Sequence, residues 1–298
     1  SPVRPVGGME QVAWTLDNDG ILYCSRKKVG KDYALSTNTD VYKYKVSTGE
    51  TINLTEGMMG YDQNIAIAPR GNKLAWESME RDGYESDKIR LYVMDLSTGE
   101  KTDYSIGFDQ NCTTLTWSDD ASSIYFISDI HATDQVYELR LNTGNIRKIT
   151  EVKHNFVSLA VAGDKLIGGQ QSMSRPTELF SIDIQSGKFS QITHVNDNIF
   201  NQLTMGDVEE RWIKTTDDKM MLTWVIYPPH FDKNKKYPTL LYCEGGPQST
   251  VSQFWSYRWN FQMMAANGYI VVAPNRRGLP GFGQEWNEAI SGDYGGQC

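Results

Sequence analysis

The sequence has no apolar stretch near the ~20 residues that a membrane-spanning helix requires; its best run, residues 269–273, has the length of a buried strand. It has no excess of basic charge either, since 29 Lys and Arg stand against 37 Asp and Glu, for a net charge of −8. Nucleic acid and anionic membrane surfaces are therefore disfavoured as partners, because their phosphates would be repelled on average. Cysteine is sparse, and Cys24, Cys112, Cys243 and Cys298 show no C-x-x-C spacing, which argues against a zinc or disulfide framework. They read as small buried hydrophobes plus one thiol at the terminus. No metal-ligand or cofactor-binding pattern occurs, so neither a metal nor a cofactor is expected. The opening Ser1-Pro2-Val3-Arg4 has no charged segment followed by an apolar one, so these residues do not read as a signal peptide.

What is present is strand-and-turn material. Tyr (16), Trp (8) and Gly (26) outweigh Pro (10), a balance that favours strands and tight turns over helices. A length of 298 residues with 39% hydrophobic and 22% charged content suits about two packed domains.

A repeat runs through the first two thirds. The turns Ser47-Thr48-Gly49-Glu50, Ser97-Thr98-Gly99-Glu100, Asn142-Thr143-Gly144-Asn145 and Gln185-Ser186-Gly187-Lys188 place their glycines 50, 45 and 43 residues apart. Each follows an alternating strand (41–46, 89–96, 136–141, 177–184) and precedes a short strand ending in or near Thr. An earlier turn recurs as well, at residues 17–20, 69–72, 118–121 and 162–164, where Gly, Asn or Asp supplies the positive φ of a tight hairpin. Four strands per 40–50 residues is the pattern of propeller blades. Trp14 and Trp117 close the first strand of two units, where a ring can pack between neighbouring sheets. The expectation is a mainly β chain with about four four-stranded blades over residues 1–204. Four blades make either a small closed ring or, as the favoured reading, part of a larger one that the chain enters part-way round.

From residue 208 the pattern changes. Residues 208–213 and 220–227 read as two strands joined by a hairpin at 216–219. An apolar run follows at 238–243, then Glu244-Gly245-Gly246-Pro247. Tyr257, Phe261, Met264 and Ala265 then fall on one face of a helix that Asn267-Gly268 ends. A buried parallel-type strand comes next, at 269–274. Strand, helix, strand opens an α/β layer fold over 205–298.

The ordered series Pro238-Thr239-Leu240-Leu241, Glu244-Gly245-Gly246-Pro247, Pro274-Asn275-Arg276-Arg277-Gly278, Gly281-Phe282-Gly283 to Trp286, and Gly292-Asp293-Tyr294-Gly295-Gly296 resembles the prolyl oligopeptidase family. Within it the chain is most similar to the acylaminoacyl-peptidase and dipeptidyl-peptidase V branch, which residues 36–40 and 79–87 also resemble. The resemblance spans the chain and implies blades of a β-propeller followed by an incomplete α/β-hydrolase segment. It implies a serine exopeptidase acting on peptide substrates, and a periplasmic or exported location. No G-x-S-x-G elbow occurs in the 298 residues, and all four histidines (His131, His154, His194, His230) precede the alternating α/β core. No catalytic residue is therefore assigned; the triad is expected beyond residue 298.

What carries over is one side of an oxyanion hole. In an α/β-hydrolase one donor is the N–H after the nucleophile and the other comes from the loop after the third strand. Glu244, Gly245 and Gly246 occupy that loop. The family usually has Tyr or His where Glu244 stands, and an ionised carboxylate cannot donate, so the backbone is the expected donor. The plain alternative is that the glycines only allow a tight turn. Leu279-Pro280 is a second departure, in a place where the family tends to have Ser and a small residue. Arg276 and Arg277 are expected to pair within the fold, with Asp293 as a partner, or to orient a substrate carboxylate.

Glu80 and Glu85 lie in an acidic loop between the second and third strands of a blade, and are candidates for holding a substrate α-ammonium. A solvated loop with scattered charges is the ordinary alternative. A non-catalytic propeller that binds a protein partner is the competing function, and an esterase the third. Exposed blade edges would allow oligomers.

Overall fold

The computed structural model describes residues 8–246 and 248–296. Pro247 of the candidate loop and the Cys298 thiol lie outside the described residues. By its internal contacts the chain divides into two compact units, one running to residue 128 and including Val136–Lys148, the other formed by Asp129–Gln135 and everything from Ile149 onward. Among the described residues no helix is long and apolar enough to cross a membrane.

The first unit holds three blades, each an antiparallel sheet in sequence order. They are Val12–Trp14, Gly20–Ser25, Asp40–Lys45 and Thr51–Asn53; then Asp62–Ile67, Lys73–Ser78, Arg90–Asp95 and Lys101–Asp103; then Thr113–Trp117, Ser123–Ile130, Thr133–Arg140 and Asn145–Lys148. The repeat is visible in single hydrogen bonds. The N–H of each turn glycine, at φ of +73°, +77° and +68°, donates to the carbonyl four residues earlier: Gly49 to Lys45, Gly99 to Asp95, Gly144 to Arg140, each at 2.8 Å. Gly187 of the fourth blade repeats the bond to Asp183 at the same distance. The earlier turns also reach positive φ, at Asn18, Gly71, Ala121 and Gly163.

Two cores lie between consecutive blades. Leu22, Val41, Leu74 and Trp76 fill one, and Leu91, Trp117, Ile124, Phe126 and Leu139 the other. The Trp117 indole donates to the Ala66 carbonyl of the preceding blade at 2.8 Å, as a ring between sheets should. Trp14 does not repeat this: it is 56% exposed, because no sheet precedes Val12–Trp14 among the described residues. Cys24 and Cys112 are buried free thiols whose pKa burial pushes up, whereas Cys243 is exposed, contrary to expectation.

The second unit contains the fourth blade, Asn155–Ala162, Lys165–Ser172, Arg175–Asp183 and Phe189–Gln191, and a mixed sheet. The strands of that sheet run in the order Val208–Lys214, Met220–Ile226, Ile270–Pro274, Thr239–Leu241; the last two are parallel and the others antiparallel. Helix α1, Phe261–Ala266, packs on it through Phe261 and Ala265. The helix is shorter than its periodicity promised. The Asn260 side chain caps it by accepting from the Met263 N–H, so Tyr257 falls outside and is 84% exposed. Ile270–Pro274 buries only alternate residues, Val271 and Ala273, and all three residues of Thr239–Leu241 are exposed.

Asp129–Gln135 is the tip of the third blade's central hairpin. Its turn residues His131 and Ala132 both take positive φ, +49° and +57°, as a two-residue hairpin turn requires. Ala132 is fully buried in a core with Leu222, Trp224, Val271 and Leu279, and the His131 N–H donates to the Gly281 carbonyl at 2.9 Å. Beside them the Asp129 Oδ1 is shut off from solvent and has no hydrogen-bond partner among the described residues, and a Cβ on Gly281 would lie 2.5 Å from it. Burial and the neighbouring Asp134 charge raise the Asp129 pKa well above the carboxylate range; burial pushes Asp134 up to about 7.

Two outcomes follow from this packing. Gly49→Ala or Gly99→Ala places a Cβ at positive φ with at most an ordinary contact, to the Tyr44 hydroxyl at 4.0 Å from Gly49, and should cost about 1–2 kcal/mol. Gly187→Ala should cost clearly more, because its Cβ would also meet the Ile149 carbonyl oxygen at 2.1 Å. Denaturant midpoints check this, and equal losses at the three positions would contradict it. The second outcome concerns pH. Between the ordinary carboxylate range and about 7, folded Asp134 keeps a proton that the unfolded chain has released, so stability is fullest on the acid side and falls as pH rises through that window. Asp134→Asn should flatten the decline, raising the thermal midpoint by a few degrees near about pH 8 and little near about pH 5. Parallel profiles for the two proteins would contradict the assignment.

Candidate functional site

The parallel strands Thr239–Leu241 and Ile270–Pro274 end side by side, and the chain leaves each at the same edge. After the first, the Tyr242 N–H continues the pairing to the Val272 carbonyl at 2.8 Å before the chain reaches Glu244, Gly245 and Gly246. Glu244 is half-buried and both glycines are exposed. The Tyr242 pKa is pushed up to about 12 by burial and by the neighbouring Glu244 carboxylate. Gly246 sits at φ +133°, and a Cβ on Gly245 would meet nothing within 4 Å. The two glycine N–H groups donate to no described residue.

Four polar side chains build the floor beneath this loop. Asn275 is fully buried and binds Val251 twice, accepting its N–H at 2.9 Å and donating to its carbonyl at 3.1 Å. The Trp224 indole donates to the same carbonyl at 2.8 Å. Arg276 donates to the carbonyls of Glu244 at 3.0 Å and Arg277 at 2.7 Å. Arg277 pairs with Asp217 of the hairpin turn and stacks on Trp286 with its guanidinium 4.7 Å from the ring centre, so its partner is Asp217 rather than the expected Asp293. Leu279 is fully buried in the core, and the Pro280 carbonyl accepts from Thr250 at 3.0 Å. That departure from the family pattern thus serves packing. Nearby, the Ser252 hydroxyl accepts from the Asn155 side-chain amide at 2.7 Å.

A cleft of about 510 Å³ opens elsewhere on this unit between Trp212, Arg277, Phe282 and Trp286. Both its indole N–H groups are taken internally, Trp212 by Glu210 and Trp286 by the Arg276 carbonyl, while Asp217, Lys219, Arg277 and Glu285 add charged groups to its lining.

Glu80 and Glu85 lie in the first unit, in the connection between Lys73–Ser78 and Arg90–Asp95, as the sequence placed them. Glu80 pairs with Arg90 at 2.6 Å, and Glu85 accepts from the Tyr61 hydroxyl at 3.3 Å. Their connection is organised by buried Asp87, which accepts from the N–H groups of Glu80, Arg81 and Lys88. The loop is thus an ordered shelf, held further by Asp82 on Ser36, Thr37 and Asn38. The two glutamates and the Glu244 loop belong to separate units.

Sequence reasoning missed the roles of Asn275, Arg276 and Asp217, and the buried pair Asp129 and Asp134. The only signal for the first two was their place in a motif read for other reasons.

Residues 255–298 match the prolyl oligopeptidase family. The chain is 50% identical over 297 residues to dipeptidyl-peptidase 5 of Porphyromonas gingivalis and 52% identical over 299 residues to that of Porphyromonas endodontalis. Each comparison covers 100% of this chain and 43% of the relative, so the chain spans less than half the length of these curated relatives. Among solved structures, Pyrococcus horikoshii acylaminoacyl peptidase superposes with a TM-score of 0.76 at 22% identity, over 96% of this chain and 43% of that one. Porphyromonas gingivalis dipeptidyl peptidase 4 gives 0.59 at 16%, over 94% and 51%. At these identities the structures speak for the fold alone. Over its whole length the chain is thus similar to 43% of two curated dipeptidyl-peptidases 5, and its last stretch, residues 255–298, to the prolyl oligopeptidase family.

Proposed function

We propose that this chain is part of a serine exopeptidase that removes dipeptides or acylated residues from peptide N-termini. In this reading residues 1–204 are propeller blades, residues 205–298 open the catalytic domain, and the Ser, Asp and His lie outside the 298 residues. The observation that carries it is the Glu244–Gly246 stretch, where the N–H groups of Gly245 and Gly246, at the carboxyl end of a parallel strand, donate to no described residue. Donors held in place before the reaction stabilise a developing oxyanion without reorganising. Peptides are the proposed substrates, and a carboxylate of the blade-two shelf would hold the substrate α-ammonium. Of the two candidates, Glu80 is paired with Arg90, whereas Glu85 accepts from the Tyr61 hydroxyl. Exposed blade edges are the proposed route to any oligomer.

Two experiments test this. In the full-length protein Glu244→Ala should lower turnover by well under the ~10²–10³ that loss of an oxyanion donor costs, because the backbone N–H survives the change. A thousandfold loss with folding and binding intact would make the side chain the donor. A fluorophosphonate probe should label the full-length protein and leave residues 1–298, expressed alone, unlabelled. Labelling of the 298-residue chain would move the nucleophile into it; an unlabelled full-length protein would favour a non-catalytic propeller scaffold.

A further inference from the structure

The Glu244–Gly246 stretch has little to hold its orientation. Its glycines are exposed, no atom stands within 4 Å of a Cβ on Gly245, and no helix or sheet bond includes it. A peptide unit in that state is free to rotate about its flanking bonds, and rotation would swing a donor N–H away from any oxyanion. One side chain grips it. The guanidinium of Arg276 donates through one nitrogen to the Glu244 carbonyl at 3.0 Å and through the other to the Arg277 carbonyl at 2.7 Å. Arg276 is fixed in turn, since its own carbonyl accepts from the Trp286 indole at 3.0 Å. Both guanidinium bonds end on carbonyl oxygens and neither on a carboxylate, so the cation is spent on orienting backbone.

The geometry points to Arg276 as a positioning residue that aims the Gly245 N–H. This rests on reading the Glu244–Gly246 loop as an oxyanion loop. The carbonyl of Glu244 and the N–H of Gly245 belong to one planar trans peptide and point in opposite directions. Pinning the oxygen on Arg276 therefore turns the N–H to the far side, away from the arginine. A cation on the oxygen also polarises the amide, which makes its N–H a stronger donor. Arg276 thus acts through the peptide without touching substrate. Lysine could not reproduce it fully, because a single ammonium lacks the planar fork that reaches two carbonyls at fixed spacing.

The test uses the full-length protein, with active sites counted by fluorophosphonate so that turnover is expressed per competent site. On a chromogenic dipeptide substrate, Arg276→Ala should lower kcat by roughly ten- to a hundredfold, less than outright loss of a donor. KM should stay within about twofold, because the interaction strengthens only as the oxyanion forms. Millimolar guanidinium should restore part of the lost kcat, and Arg276→Lys should fall between Ala and wild type. A purely structural role would instead reduce the count of competent sites and leave kcat per site alone. Wild-type kcat per site in Arg276→Ala, a rise in KM accounting for the loss, or a loss that neither guanidinium nor lysine relieves would each overturn the proposal. If Arg276→Ala does not fold, Arg276→Lys carries the same kcat-against-KM comparison. A wild-type protein that releases no dipeptide overturns the oxyanion-loop reading itself, and Arg276 falls with it.

Discussion

One carboxamide holds the long connection between the two parallel strands. Asn275 uses its oxygen and its amide nitrogen on the two backbone groups of a single residue, Val251, in a place with no water to compete. A side chain that mimics a strand's pairing in this way lets a non-repetitive segment lie over a core without leaving buried polar groups unpaired. The rest of the loop is organised from that point. Val251 turns its own side chain into the core, Trp224 shares its carbonyl, and the next residues, Ser252 and Gln253, bond to Asn155. Arg276, the next residue along, reaches the Glu244 carbonyl from the same strand end. The site thus hangs on the end of one strand, with the strand's rigidity passed into the loop through two adjacent side chains.

The blades were legible because their information is local. A glycine that must sit at positive φ, one bond to the carbonyl four residues back, and a strand on either side recur with each turn, and no distant contact is needed to recognise them. Local pattern failed where its meaning depends on what lies opposite. Trp14 and Trp117 hold equivalent places, yet only Trp117 has a sheet to pack on. Tyr257 has helical spacing from Phe261, but a capping asparagine between them starts the helix later.

For the site, the loop residues were legible only through the family's motif order, since Glu-Gly-Gly by itself describes any tight turn. Arg276 was hidden because its partners are carbonyl oxygens, which every residue carries and no composition reveals. Arg277 was expected in an ion pair, but a nearby acid was named, whereas the hairpin that brings Asp217 to it is far back in sequence. The raised acids Asp129 and Asp134 could not be read at all, because burial is a property of the assembled unit and not of the residue.

The hairpin tip at His131 and Ala132 has a consequence for the order of assembly. Its stems pair within one sheet, while the turn itself supplies a core residue and a hydrogen bond to Gly281, far downstream. On a ribosome the stems can form as soon as they emerge, but the tip must wait, with an apolar Ala132 and two acids uncovered, until Gly281 and Leu279 have been made.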